Sequence, residues 1–407
     1  MHSCKEGKSM AFETFGEVAR IVIVTGLVIA GALAILLWVR DRTRNVSILR
    51  LFVQMVAVPA IFLGLFIGPF TPPGFNLLGT APRDALIGTG AGNLFPDGLS
   101  ISVLACYYPS GRTVTCPIWQ IQAYIFPFWD SGRGWGTNYV LGGWERLIIV
   151  LSLVMVTALV LGKLFCGWIC PFGLYMDLLI RFRKIFKKGH LNFSEKTNAY
   201  LRQSRYLILA LMLILSFLFG AQAIVGAQLV SGTEAGGYVN NYFSAPFCQV
   251  CPMRPLCVLL ESGLGLMNFQ YVLSRTTGML LEAGFYLTSL NVLVLAVVTI
   301  GALVYRRFWC RICPLGGLSA LFSTFAPFKW IAFTRLHKVE EKCTKCGVCK
   351  RVCPTQVEEV FKMKGGDVTA SGCILCFRCV EMCPYDDALQ VKVLGKSVFQ
   401  SRNWLDK

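Results

Sequence analysis

Histidine is almost missing from this chain. Only His2, His190 and His337 occur among its 407 residues, and none lies in a stretch apolar enough to cross a membrane. A haem held between two histidines inside a helical bundle therefore has no ligands here. Charge is scarce as well. Some 15% of residues are charged, where a soluble protein carries about 25%. Acidic residues are the rarer sign, 22 against 39 Lys and Arg. No constellation of acid, base and nucleophile stands out, so no substrate-converting centre is expected and no catalytic residue is assigned. The run Gly88-Thr-Gly90-Ala-Gly92 lacks the spacing of a dinucleotide loop and reads as turns in a loop.

Apolar length is what the chain has instead. Hydrophobic residues make up 55% of it, and five stretches carry no charge: 21–39, 51–70, 147–162, 206–230 and 283–305. Segments of about 17–25 apolar residues span a bilayer as helices. The shortest, 147–162, ends at Lys163, whose ammonium can snorkel to the interface. Two shorter runs, 262–274 and 312–328, are expected at an interface or inside the protein. Stretch 21–39 is too long and too weakly flanked by positive charge for a signal peptide, and is expected as a retained helix.

The net charge of +17 is unevenly spread. Arg40, Arg42, Arg44 and Arg50 lie between the first and second stretches. Arg181, Arg183, Lys184, Lys187 and Lys188 lie between the third and fourth. Arg306, Arg307 and Arg311 open a basic C-terminal segment. This is the positive-inside pattern of a multi-pass protein of the cell membrane, not a nucleic-acid footprint. It predicts the N-terminus outside, and the basic loops and C-terminal segment in the reducing cytoplasm.

Eighteen cysteines are the other abundance. Eight of them spell one phrase twice: Cys343, Cys346, Cys349, Cys353-Pro354, then Cys373, Cys376, Cys379, Cys383-Pro384. This C-x2-C-x2-C-x3-C-P run wraps [4Fe–4S] clusters, with the fourth cysteine aimed at the other cluster. The expected ligand sets are Cys343, Cys346, Cys349 and Cys383 for cluster 1, and Cys373, Cys376, Cys379 and Cys353 for cluster 2. Zinc also takes paired C-x2-C, but needs neither the third cysteine nor the C-x3-C-P ending.

A second cysteine pattern repeats within the apolar part. Cys166-Gly-Trp-Ile-Cys170-Pro171-Phe-Gly173 follows the third stretch, and Cys310-Arg-Ile-Cys313-Pro314-Leu-Gly316 follows the fifth. Each is preceded by an outer loop with a further pair, Cys106 with Cys116-Pro117, and Cys248 with Cys251-Pro252. Two-fold repeats of this kind build membrane sites at their shared interface. Cys166, Cys170, Cys310 and Cys313 make an inner set of four, enough for one cluster. The alternative is small buried residues in sharp turns. Cys106, Cys116, Cys248 and Cys251 make an outer set that reads equally as a cluster site or as disulfides on an oxidising face. Cys4 and Cys257 are left over. Arg254, beside the outer pair, reads first as a surface arginine.

The 166–171 motif, the Phe308-Trp309-Cys310 to Gly316 segment and the double run at 343–384 together resemble the NapH/NosR/MauN group of membrane polyferredoxins. The resemblance covers about 147–390. Both membrane motifs of that group usually read C-x3-C-P, and here the second is C-x2-C-P. The resemblance implies electron delivery between a quinol pool or a cytoplasmic donor and a reductase outside, as one subunit of a membrane redox complex.

The expected fold is an all-α integral membrane bundle of about five transmembrane helices with an internal two-fold repeat, plus a small α+β bacterial-type two-cluster ferredoxin domain. The boundaries are 1–47 for an N-terminal segment and first helix, 48–335 for a membrane domain with repeats at 48–190 and 201–335, 336–390 for the ferredoxin domain, and 391–407 for a tail. The expected role is an electron-transfer component that relays single electrons, not a stand-alone catalyst. The rivals are a metalloenzyme assembly or copper-handling factor, and a transmembrane thiol reductant.

Overall fold

The computed structural model describes residues 46–63, 99–100, 114–125, 143–187, 189–230, 245–263, 289–325 and 328–403. The expected helix at 21–39, Cys4 and Cys106 lie outside these residues.

The apolar part is helical. Helix α1 spans Val46–Leu63, α2 Pro117–Ile125, α3 Gly143–Leu161, α4 Leu164–Trp168, α5 Pro171–Ile185 and α6 Glu195–Val230. After a 3-10 turn at Pro246–Gln249 come α7 Met253–Gly263 and α8 Ser289–Val304. A second 3-10 turn at Phe308–Arg311 leads into α9 Pro314–Thr324 and the short α10 Phe328–Ile331. Leu99–Ser100 (β1) and Val114–Thr115 (β2) pair in parallel.

Cysteine–proline steps start helices at four places. The first backbone bonds of α2, α5, α7 and α9 go to the carbonyls of Cys116, Cys170, Cys251 and Cys313. Proline fits there because the first helical N–H has no partner to lose. Helix α3 ends on Gly162 at φ +59, the left-handed cap that glycine supplies without strain.

Helix α6 differs from expectation at its start. Ser194 caps it, its Oγ accepting from the Thr197 N–H at 3.2 Å, with Glu195 in the first turn facing the helix dipole. The charges up to Arg205 therefore lie inside a helix that begins well ahead of the uncharged stretch. Among the described residues one segment, Glu195–Leu218, is long and apolar enough to cross a membrane. Val46–Val58, Leu147–Leu161 and Leu290–Val304 are apolar but shorter.

One core joins these helices, with Ile118, Val154, Phe172, Met176, Leu315 and Trp309 buried together. The run at 312–328 lies largely in it, as most of α9 is buried. The C-terminal unit has its own core around Leu336, Val368, Val380 and Val391. Its four-stranded antiparallel sheet runs β4-β3-β5-β6, with β3 Thr334–Lys338, β4 Gly366–Asp367, β5 Leu389–Val393 and β6 Lys396–Gln400. Thr334 faces Val393 and Lys338 faces Leu389. Short helices α11 Val348–Val352, α12 Glu359–Lys362 and α13 Arg378–Glu381 complete it.

The two units are stitched together at the end of α3. Phe333 N–H donates to Leu159 O at 2.9 Å, and Thr334 Oγ1 to Val160 O at 2.8 Å. The helix's last carbonyls, which lack partners within the helix, are satisfied by the strand that begins the C-terminal unit.

Candidate metal centres

Two hollows open in the C-terminal unit. One is lined by Cys343, Cys346, Cys349 and Cys383, with Phe361 and Tyr385. The other is lined by Cys353, Cys373, Cys376 and Cys379, with Cys349 between the two. The fourth cysteine of each run thus lies at the hollow of the other run. The loops take matching left-handed residues around their second cysteine, Lys345 and Gly347 in the first, Leu375 and Phe377 in the second. A non-glycine residue holds that conformation at a cost of about 1–2 kcal/mol, which the loop's curvature around the hollow requires.

Burial pushes the Cys349 thiol up to about 11 and the Cys373 thiol up to about 12. It raises Cys353, Cys379 and Cys383 in the same way. A thiolate so placed needs a cation against it, which cluster iron provides. Val357 N–H points at Cys353 Sγ at 3.3 Å, the kind of bond that tunes a cluster's potential. Among the described residues no three His, Cys, Asp or Glu side chains converge as they would on a single metal ion. The thiols stand around hollows instead.

The inner set comes together from both halves. Cys166 lies on α4, Cys170 caps α5, Cys310 lies in the second 3-10 turn and Cys313 caps α9. Each of the four is an electrostatic neighbour of the other three. Arg307 ties them: its NH1 donates to Cys166 O at 2.8 Å and approaches Cys310 Sγ at 3.9 Å.

The second ferredoxin loop sits directly on the inner motif. Trp168 Nε1 donates to Leu375 O at 2.9 Å, and its ring meets Phe377. Gly167 is required there, since a Cβ would stand 2.4 Å from Ile374 O. Lys163 donates to Ser371 O, and Arg205 donates to the same carbonyl at 2.9 Å. Lys163 is thus buried under the ferredoxin loop and does not snorkel. On the other flank Arg311 donates to Asn198 Oδ1 at 2.7 Å and Gln356 Oε1 at 2.8 Å.

Of the outer set, Cys116, Cys248 and Cys251 are described. Gln122 Oε1 on α2 accepts from Phe247 N–H at 3.0 Å and so joins the two outer segments. Cys116 and Cys251 pack against the same core as the inner set. So does Cys257, left over in the sequence pairing and buried at 1% exposure. Arg254 is not a surface arginine: it is fully buried and donates to Cys248 O and Gln249 Oε1, both at 3.2 Å.

Sequence reasoning also missed Arg307, Asp177 and Trp168. Asp177 had a signal, as the single acidic residue between positions 147 and 194. Arg307 had none beyond its place before Cys310.

Comparison with known proteins agrees with this chemistry. A 4Fe-4S binding domain model matches residues 143–189 and 288–331, which hold the two inner motifs. A 4Fe-4S dicluster domain model matches 335–384. The chain is similar to an uncharacterized protein of Methanocaldococcus jannaschii, 25% identical over 67% of this chain and 82% of that one. It is similar to an Escherichia coli protein named for electron transport, YccM, 26% identical over 63% of this chain and 60% of that one. It is also similar to the ferredoxin-type protein NapH of Escherichia coli, 25% identical over 55% of this chain and 60% of that one. No solved structure matches the chain. The residues present fit iron–sulfur chemistry, and the chain is an electron-transfer protein that holds [4Fe–4S] clusters.

Proposed function

We propose that the chain is a NapH-type polyferredoxin, a reading that the matched 4Fe-4S domains and the likeness to NapH support, and that it is a multi-pass subunit of a membrane redox complex relaying single electrons between its ferredoxin domain, the membrane and a redox partner. Cluster 1 takes Cys343, Cys346, Cys349 and Cys383. Cluster 2 takes Cys373, Cys376, Cys379 and Cys353. A third cluster takes the inner set, and the outer cysteines extend the series toward the far face. These clusters supply the one-electron chemistry. The polypeptide fixes their spacing, excludes water and surrounds them with hydrogen bonds and charge.

One observation carries this reading. The loop bearing Cys373 and Cys376 rests on the motif bearing Cys166, through Trp168, Gly167, Lys163 and Arg205. An electron at the second ferredoxin site therefore has the inner set as its neighbour.

The membrane part reads as about five spans, one at 21–39 ahead of two repeats, 48–190 and 201–335, of two spans each. Supporting this, Leu207, Ile214, Leu293, Val297 and Ile300 are exposed along α6 and α8, apolar faces that lipid would cover. The N-terminus lies outside and the ferredoxin domain in the cytoplasm, as the basic loops require. Quinone is the expected membrane partner.

Replacing Cys310 by Ala tests the assignment, read by EPR of anaerobically purified protein. Loss of one whole signal, with both ferredoxin signals kept, is expected. An unchanged spectrum rejects the inner cluster. Outer cysteines that cycle between dithiol and disulfide would favour the thiol reductant, and bound copper would favour the assembly factor.

A further inference from the structure

Arg307 lies next to the inner cysteines with all three of its guanidinium nitrogens engaged. It is fully buried, and its backbone lies in the left-handed region at φ +47, a strained conformation for an arginine. Its Nε donates to Asp177 Oδ1 at 2.9 Å, and its NH2 to Asp177 Oδ2. Its NH1 divides between Cys166 O at 2.8 Å and Cys310 Sγ at 3.9 Å. Asp177 in turn accepts from Arg50 NH2 at 3.0 Å. Gly173 leaves room for the guanidinium, as a Cβ there would lie 3.0 Å from its NH1. Two guanidiniums and one carboxylate leave one net positive charge, buried, with its donor edge on a cysteine sulfur and on the backbone of a second cysteine from the other half.

Resting on the inner-cluster reading above, we propose that Arg307 is the positioning residue that sets the reduction potential of the inner site, with Asp177 and Arg50 fixing how much of its charge the site feels. Adding one electron to the site makes and breaks no bond and adds one negative charge. A fixed cation against Cys310 favours that reduced form, and a carboxylate behind the cation opposes it. The two residues therefore act with opposite sign. Charge and N–H···S bonds at the ligands are the protein's levers on such a potential.

The test is an EPR-monitored redox titration of the full-length protein in detergent, with iron counted in each sample. Arg307→Gln is expected to keep the iron of the inner site and shift its midpoint negative, leaving both ferredoxin midpoints in place. The expected size is a ten-fold lower ratio of reduced to oxidised site at a fixed potential, about 59 mV for one electron. Arg307→Lys keeps the charge but not the fork, and is expected to give a smaller negative shift. Asp177→Asn is expected to shift the same signal positive. Inner iron retained with an unmoved midpoint in Arg307→Gln overturns the proposal. Should that variant lose its inner iron, a positive shift in Asp177→Asn upholds the proposal, and no shift or a negative one overturns it. Loss of inner iron from all three variants also overturns it and reduces Arg307 to a strut. A wild-type protein without an inner signal instead rejects the cluster reading itself, before any variant is made.

Discussion

The indole Nε1 of Trp168 donates to the carbonyl of Leu375 at 2.9 Å, across 207 positions of sequence. One residue belongs to the inner cysteine motif and the other to the second ferredoxin loop. The contact fixes the ferredoxin domain against the apolar helical part, so it is not a domain on a free tether.

Gly167→Ala is expected to break that contact. The new Cβ would meet Ile374 O, a backbone atom that cannot rotate away. Overpacking of this kind costs about 1–3 kcal/mol. Amide exchange across Ile374–Phe377 should rise roughly ten-fold, measured by hydrogen exchange, while iron in the ferredoxin sites stays constant.

Arg311→Ala is expected to loosen the other flank. It removes charged donors from Asn198, Gln356 and the Arg306 carbonyl. Hydrogen bonds to a charged group contribute about 1.5–3 kcal/mol. Limited proteolysis should release the segment after Phe333 faster than in the wild type, with the iron of the 343–383 sites retained.

The two ferredoxin sites should differ toward oxidants. Cys346 is exposed, while Cys353, Cys373, Cys376 and Cys379 are more enclosed. Ferricyanide with a chelator should therefore remove iron in two phases, the signal of the 343–349 site falling first. A single phase would contradict the asymmetry.

Iron removal should expose the raised thiols. Burial holds Cys349 at about 11 and Cys373 at about 12, against about 8.5 for an ordinary cysteine. A folded value raised above the unfolded one stabilises the apo fold fully below about 8.5 and loses that effect as pH rises toward the folded values. Alkylation of Cys373 in apo protein should climb well above pH 9, and apo stability should fall over the same window. Alkylation with an ordinary midpoint would contradict it.

The sequence made the local features readable. Cysteine spacing is covalent and short-range, so the two ferredoxin ligand sets and the repeated inner cysteine motif could be read directly. Long-range pairing was not readable. Arg205, Arg254, Arg307 and Arg311 look like topology charges in sequence, yet all are fully buried. Partners of Arg205, Arg307 and Arg311, such as Ser371, Asp177 and Asn198, lie more than a hundred positions away, while Arg254 bonds to the turn just ahead of it. The start of α6 was hidden because its first turns are charged for docking to the ferredoxin domain, where Arg202 meets Glu359 at 2.6 Å. Cys257 was set aside because pairing by repeat gave it no counterpart.

The proposed relay needs more clusters than the ferredoxin domain can hold. Iron and acid-labile sulfide, counted per chain in anaerobically purified protein alongside quantitative EPR, test this most directly. Two ferredoxin clusters account for about eight irons. The account predicts at least about twelve, with a third spin system that disappears in Cys310→Ala. About eight irons and two spin systems would contradict it.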